Sequence, residues 1–308
     1  MKFKYAMKAW VGSKYQIEDR IRRLEQLHDK GVISTEPLIE LHLFPEDIVR
    51  DSTKDNIHEY SNDTTFVAHF PQMEKHYDIF LDNGEYLGRV LEFLKKTDVE
   101  SLVIHRYGGR EVRKKSSTKF YEIVKRQLLN RSTKIYIENL GFAGKADLVS
   151  PLDHFFPWEY QFFFEYFEDI ENVGLCIDTG HAAETSNMFN YLKSGGERDD
   201  CFTYISSDDL NKEERLDPID FMKSATRLAH IHLNDAPLYT SGKIEWAHLT
   251  GEGRNLGDGN IDFRSIMSFL SNTNYDGWLV IETYLKNNEK AIEMEQFIER
   301  LTDLCRQL

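Results

Sequence analysis

Eight short apolar runs, spread along the whole chain, are the feature of this sequence that most constrains its fold. They are rich in β-branched and aromatic residues and are bounded by polar or turn residues. They lie at 3–7, 38–44, 65–70, 101–106, 134–139, 173–179, 228–234 and 278–283. Most are apolar on both alternating faces, which is typical of parallel strands that are covered on both sides.

Longer segments with helical periodicity separate these runs, at 15–31, 84–97, 117–130, 154–170, 262–272 and 287–308. Gly31 and Asp262 are suitable end and start signals for two of them. Alternation of strand and helix over the 308 residues predicts an α/β fold, a (β/α)8 TIM barrel, as a single domain over 1–308. An open doubly wound sheet is the competing architecture, because periodicity alone does not show whether a sheet closes.

Two connections are longer than a minimal barrel needs. Residues 44–64 and 191–226 are polar, acidic and irregular. We expect them to be loops or short helical insertions over the C-terminal face of the barrel, with 191–226 as an insertion or lid.

Composition excludes several classes of protein. No apolar stretch is long enough to span a membrane, and lysines interrupt the apolar residues at the start, so neither a span nor a signal peptide is readable. We therefore expect a cytoplasmic location. Three widely spaced cysteines fit a reducing compartment and give no zinc-finger or disulfide framework. The formal charge of -14 disfavours nonspecific attraction to nucleic acid.

In six of the eight runs, a residue type that binds metals follows the apolar residues, one or two positions before the boundary given above. These residues are His69, His105, Glu138, Asp178, His232 and Glu282. His, Asp and Glu make up about a fifth of the chain, so chance would place them at fewer than two of eight ends. Catalytic groups of a TIM barrel lie at the C-terminal ends of its strands. Imidazole and carboxylate ligands from different strands suit a catalytic Zn²⁺ or Mn²⁺, and Mg²⁺ or Co²⁺ remain open.

Each of these residues also has a simpler interpretation. A single histidine at a strand end is more often hydrogen-bonded in the core than bound to metal. Asp178 would also serve to cap the helix that follows it. Glu138 and Glu282 follow apolar runs and would need a cation or an internal salt bridge. Six such coincidences are less economical than one metal centre, whose mouth His181 would also face.

A glycine-containing segment, 230–263, follows the seventh run. Its glycines suit a loop whose backbone passes close to a ligand, and Arg254 would bind a sugar hydroxyl or a phosphate within it. An acidic surface loop would have a similar sequence, so this signal is weak.

Taken in order over about 65–283, the segments VAHFP, LVIHRYGG, IYIENLG, VGLCIDTGH, HIHLND, RNLGDGNID and YDGWLVIET resemble the xylose isomerase-like superfamily of TIM barrels. That superfamily includes sugar and sugar-phosphate isomerases and epimerases and the endonuclease IV family. The resemblance implies a metal set of Glu138, Asp178, His232 and Glu282. In the epimerase branch, Glu138 and Glu282 would also move a proton, and His181 and Arg254 would contact substrate.

The endonuclease branch implies further metal ligands. His69 and His105 would hold a first zinc bridged through Glu138, and His181 would hold a third. The aspartate–any–histidine pair of that branch is not in register here, where 251–253 stands in its place and His248 is a shifted substitute. The glycine-rich start of that family is also replaced.

The sequence therefore predicts a divalent-metal-dependent isomerase or epimerase of a small carbohydrate or sugar phosphate. The alternative is a zinc phosphodiesterase that acts at abasic sites in DNA, and a barrel that binds a sugar without turnover is a third reading. DNA is a partner only under the phosphodiesterase hypothesis. No membrane partner is expected, and a homo-oligomer is left open.

Overall fold

All eight predicted strands form, and together they close into one parallel barrel. The computed structural model describes residues 3–70, 84–105, 113–129, 131–141, 156–198, 205–283 and 289–307. The strands are β1 (Lys4–Trp10), β2 (Leu38–His42), β3 (Thr65–His69), β4 (Ser101–His105), β5 (Lys134–Glu138), β6 (Val173–Asp178), β7 (Leu228–Leu233) and β8 (Trp278–Ile281). Each strand pairs with the next, and β8 pairs with β1, so the TIM barrel is confirmed and the open doubly wound sheet is wrong.

Helices surround the barrel where the periodicity predicts them. The helices are α1 (Lys14–Asp29), α2 (Asp51–His58), α3 (Glu85–Lys96), α4 (Arg113–Leu128), α5 (Tyr160–Tyr166), α6 (Thr179–Lys193), α7 (Ser207–Leu210), α8 (Pro218–Ser224), α9 (Trp246–Thr250), α10 (Phe263–Asn272) and α11 (Glu289–Cys305). Gly31 follows α1 with a φ of +69°, and the side chain of Asp262 caps α10 by accepting from the Ser265 amide at 3.1 Å. Both sequence signals are therefore used.

The two long connections contain short helices, as expected. Helix α2 lies in 44–64, and α7 and α8 lie in 191–226. Residues 199–204 of the second connection lie outside the described part of the chain. So do residues 154–155 of the helix predicted over 154–170, and the part of the motif LVIHRYGG that begins at Arg106. A lid function for 191–226 stays a prediction. Helix α6, by contrast, was expected only at its start.

The barrel interior changes from apolar to polar within two residues along every strand except β7, where His230 precedes His232. Its apolar layer consists of Ala6, Leu38, Val67, Val103, Cys176 and Val280, with Tyr136 and Trp278 packed against them. Two residues further on, the chain places Lys8, Glu40, His69, His105, Glu138, Asp178 and Glu282, and β7 adds His232 after His230. Residues i and i+2 of a strand share a face, so this second layer lies above the first and faces the same axis. The fold thus presents one polar group per strand at the end where TIM barrels bind ligands.

Within the described ranges, no helix combines the length and the apolar character needed to cross a membrane. Cys176 and Cys305 are free thiols, and Cys201 lies outside the described residues.

Candidate metal centre

Glu138, Asp178, His232 and Glu282 meet on the barrel axis. One ligand atom from each lies within 4.8 Å of the others. Nδ1 of His232 is at the middle of the group, 3.0 Å from Oε1 of Glu138, 2.8 Å from Oε2 of Glu282 and 3.9 Å from Oδ2 of Asp178. Strands β5 to β8 therefore bring together the four residues that the resemblance implies.

The hydrogen bonding of His232 tests whether these residues fit a cation. Its other nitrogen, Nε2, lies 2.9 Å from Oε2 of the buried Glu40. An ionised carboxylate only accepts, so Nε2 carries a hydrogen. Although burial acts in the other direction, the charges of Cys176, Glu40 and Glu138 raise the pKa of His232 well above its usual range. A bound cation would displace the proton on Nδ1, and the lone pair left there would face the ion and the three carboxylates. Even a protonated Nδ1 would satisfy only one of those oxygens. One nitrogen and three carboxylates around one point fit a divalent ion such as Zn²⁺ or Mn²⁺.

The crowding of acidic groups changes their ionisation. Burial raises the pKa of Asp178 to about 7, and the charges of Glu282 and Glu138 act in the same direction, although His181 opposes them. Burial also disfavours ionised Glu282, but Lys8 and His232 outweigh it and lower the pKa of that group. Of the three carboxylates, Asp178 is therefore the one whose ionised form a bound cation would stabilise most.

Asp178 also caps α6, as the simpler interpretation of this residue predicts. Its Oδ1 accepts from the His181 amide at 2.6 Å. Its other oxygen, Oδ2, accepts from Nδ2 of Asn234 at 2.8 Å and faces His232. The backbone amide of Asp178 donates to Oδ1 of Asn139 at 2.6 Å. The cap and Asn234 hold this carboxylate in one orientation, and Asn139 holds the backbone of Asp178.

His69 and His105 converge on the other oxygen of Glu138. Their Nε2 atoms lie 3.2 and 3.0 Å from Oε2 of Glu138. Nδ1 of His69 is 3.1 Å from the carbonyl of Phe70, which makes Nδ1 the donor. Burial and the charge of Lys8 lower the pKa of His69, so the ring is neutral and its Nε2 lone pair faces a carboxylate. These three residues form a second group that would accept a cation.

A third group stands at the mouth of the barrel and includes a residue that sequence reasoning missed. Nε2 of His181 lies 3.1 Å from Oε2 of Glu252, while its Nδ1 bonds the carbonyl of Asn139 at 2.9 Å. One ligand atom from each of Asp178, His181 and Glu252 also lies within 4.8 Å of the others. Glu252 lies within 251–253, the segment that replaces the endonuclease pair. Its position inside an acidic loop gave no signal of its own.

A cavity of about 330 Å³ opens above these groups. The described residues that line it are Lys8, Trp10, Gln16, His42, Phe44, His69, His105, Asp178, His181, Asn234, Glu252, Gly253, Glu282 and Thr283. Trp10, Phe44, His42 and His69 form a run of neighbouring rings along one wall, with centroids 5.7, 4.9 and 5.5 Å apart. Carboxylates and an amide occupy other parts of the lining, so the cavity has an aromatic side and a hydrogen-bonding side.

His248 and Arg254 do not belong to the described lining of this cavity. Nδ1 of His248 accepts from the Glu245 amide at 3.0 Å at the start of α9. The guanidinium of Arg254 donates to the carbonyls of Gly251 and Asp258 at 3.0 and 3.1 Å, which folds the loop around it. Ligand binding by either residue stays a prediction, and these contacts give both a structural task.

A match to a family model identifies the family of this chain. Residues 85–301 match the model described as xylose isomerase-like TIM barrel. The chain belongs to the xylose isomerase-like TIM barrel family. Of curated relatives, an inosose dehydratase from Clostridium botulinum (strain Eklund 17B / Type B) is 34% identical over 95 residues. That match covers 27% of this chain and 32% of the relative, so it spans about a third of the relative's length.

Similar solved structures come from both branches of the family. The structure of the D-allulose 3-epimerase from Methylomonas sp. in complex with D-allulose superposes with a TM-score of 0.60 at 14% sequence identity. The match covers 99% of this chain and 97% of the epimerase chain. Endonuclease IV from Thermus thermophilus has a TM-score of 0.58 at 15% identity, with 97% and 99% covered. At such low identity these likenesses show the fold alone.

Proposed function

We propose that the protein is a divalent-metal-dependent isomerase or epimerase of a small carbohydrate or sugar phosphate. The observation that carries the proposal is the group of Glu138, Asp178, His232 and Glu282 beneath a cavity of about 330 Å³. That volume is in the range of sites for small molecules. The net charge of -14 also suits a small substrate better than a nucleic acid.

A cation bound by these four residues would act as a Lewis acid on a substrate carbonyl and its neighbouring hydroxyl, which makes the adjacent C–H more acidic. Glu282 is the carboxylate best placed to take that proton, because it lines the cavity and its side chain is 31% exposed. Glu138 is 1% exposed and both its oxygens face imidazoles. A second proton-transfer role for Glu138 stays a prediction, and these contacts favour a ligand role for it.

The partial likeness to an inosose dehydratase supports a polyhydroxylated ketone as substrate. Isomerisation, epimerisation and dehydration of such a ketone share the removal of a proton next to the carbonyl. The test is a screen of ketoses, aldoses, their phosphates and an inosose with Zn²⁺-, Mn²⁺-, Mg²⁺- or Co²⁺-loaded protein, read by NMR in D₂O. We expect deuterium at the carbon beside the carbonyl of one substrate. Bound metal without deuterium uptake or product on any of them would support a binding-only barrel instead.

A zinc phosphodiesterase acting at abasic DNA is the second candidate, and His69 and His105 favour it. An isomerase has no evident use for two imidazoles on Oε2 of Glu138, whereas a multi-ion hydrolase would bind a further ion there. Metal analysis separates the two: about one tightly held ion per chain supports isomerisation, and about three support DNA cleavage. His69→Ala should leave an isomerase active and inactivate a hydrolase. A cytoplasmic location and a homo-oligomer stay predictions.

A further inference from the structure

Glu40 is a buried carboxylate that contacts one residue of the candidate metal centre directly and another through Lys8. It lies in the middle of β2 with no exposed surface. Its Oε2 is 2.7 Å from Nε2 of His230 and 2.9 Å from Nε2 of His232. A buried charge is costly unless it is paired and hydrogen-bonded, so a carboxylate here needs such donors. Because it can only accept, it fixes both hydrogens on the Nε2 atoms.

Lys8 holds the other side of this carboxylate. It is the register partner of Glu40 between β1 and β2, and its Nζ lies 3.2 Å from Oε1 of Glu40. The same ammonium contacts Oε1 of Glu282, whose Oε2 faces His232. Glu40 thus contacts His232 and Lys8 contacts Glu282, so this ion pair joins two of the four residues proposed to bind the ion.

Two neighbouring rings pack against His232, but they do not determine which of its nitrogens faces the proposed ion. His69 stacks on it with centroids 5.6 Å apart, and His230 meets it edge-on at 5.3 Å. Such packing restricts the ring plane but does not decide which nitrogen faces the ion. The hydrogen bond to Glu40 makes that decision, because it places the Nε2 hydrogen away from the centre and the Nδ1 lone pair towards it.

We propose that Glu40 is the positioning residue of the metal centre and that Lys8 anchors it between His232 and Glu282. This inference rests on the proposed metal centre but not on the reaction that it performs. Glu40, His230 and His232 would also be close enough to hold an ion of their own. The ammonium of Lys8 at 3.2 Å from Glu40 opposes a second cation there. A positioning role uses all the observed contacts.

The test measures Co²⁺ affinity and the visible absorption spectrum of bound Co²⁺ for the full-length chain, so no substrate is needed. Glu40→Gln keeps the size of the side chain, but one amide cannot offer oxygen both to the imidazoles and to Lys8. Glu40→Asp keeps the charge opposite Lys8 but is one methylene too short to reach His232 as Glu40 does. The matched control is Asp19→Asn, which neutralises another buried, ion-paired carboxylate in α1.

We expect both Glu40 variants to weaken Co²⁺ binding by about 10- to 100-fold and to change its spectrum. Asp19→Asn should bind Co²⁺ as the unaltered protein does. Unchanged affinity and spectrum in Glu40→Asp would overturn the proposal, since charge balance would then be the whole task of Glu40. If Glu40→Gln does not fold, Glu40→Asp decides alone. An unaltered protein that binds no Co²⁺ would overturn this proposal with the metal centre, whereas Co²⁺ binding without sugar turnover would refute only the isomerase.

Discussion

Asparagine at position 178 should make the stability of the metal-free protein less sensitive to rising pH and its metal binding much weaker. The Asn side chain can still cap α6, because its oxygen can accept from the His181 amide as Oδ1 of Asp178 does. It removes one negative charge from a buried group of carboxylates, but it also turns an NH₂ group towards Nδ2 of Asn234, which donates to Oδ2 of Asp178 at 2.8 Å. The lost hydrogen bond lowers stability by a similar amount at every pH, whereas the removed charge changes how stability depends on pH. The same NH₂ group replaces the ligand oxygen, so metal binding should weaken.

The size of the stability change follows from the pKa of Asp178, which burial raises from 3.8 to about 7. The folded state then binds this proton more tightly than the unfolded chain, so the wild type loses stability as the pH rises from about 4 to about 7. A shift of about 3 pKa units corresponds to about 4 kcal/mol. Asp178→Asn has no such proton to lose.

Urea unfolding of EDTA-treated wild type and Asp178→Asn at several pH values between 4 and 8 measures this difference. We expect the stability of the variant relative to the wild type to rise by a few kcal/mol between pH 4 and pH 7 and to level off above pH 7. Adding Zn²⁺ should then stabilise the wild type far more than the variant. Parallel pH profiles for the two proteins would refute the reasoning, because Asp178 would then be ionised at no cost.

Three further predictions concern other parts of the structure. Glu282→Gln should abolish turnover in the isomerase assay, and near-normal activity would remove this residue from the mechanism. Asp19→Asn should lower stability by about 2 kcal/mol at pH 7, because Asp19 accepts from Arg22 at 2.6 Å in a largely buried cluster, and thermal unfolding measures the loss. Although burial acts in the other direction, the arginines lower the pKa of Asp19, so the wild-type advantage should disappear only as the pH falls below about 4. Gly180→Ala should weaken metal binding several-fold by calorimetry, because its Cβ would collide with the Asn234 amide that orients the aspartate; unchanged affinity would show that this amide has no such role.

The sequence predicts the barrel and the six strand-end residues because both depend on local patterns, whereas the choice of four of those residues as one metal set is implied by the family resemblance. Apolar runs that end on His, Asp or Glu mark the tips of β3 to β8, and closure of the barrel brings those tips together. Lys8 and Glu40 were missed because neither stands at the end of an apolar run. Lys8 falls one residue beyond the first predicted run, and Glu40 lies inside the second. What could have indicated them is the alternation along a strand: each stands two residues after an apolar residue of the barrel interior and therefore faces the same side.

Loop residues were less predictable from the sequence. Glu252 reaches His181 because the segment after β7 folds back, with Asp235 accepting from the amides of Gly257, Gly259 and Ile261. Nothing in the local sequence indicates that closure. Arg254 bonds carbonyls of its own loop, since the same donors that suit a phosphate also suit a peptide oxygen, and ligand binding by Arg254 stays a prediction.

The most direct test of the proposed metal centre is an anomalous difference map from crystals of the protein loaded with Zn²⁺. We expect a peak about 2.0–2.2 Å from one atom each of Glu138, Asp178, His232 and Glu282. A fully loaded crystal with no peak among these four side chains would contradict the assignment.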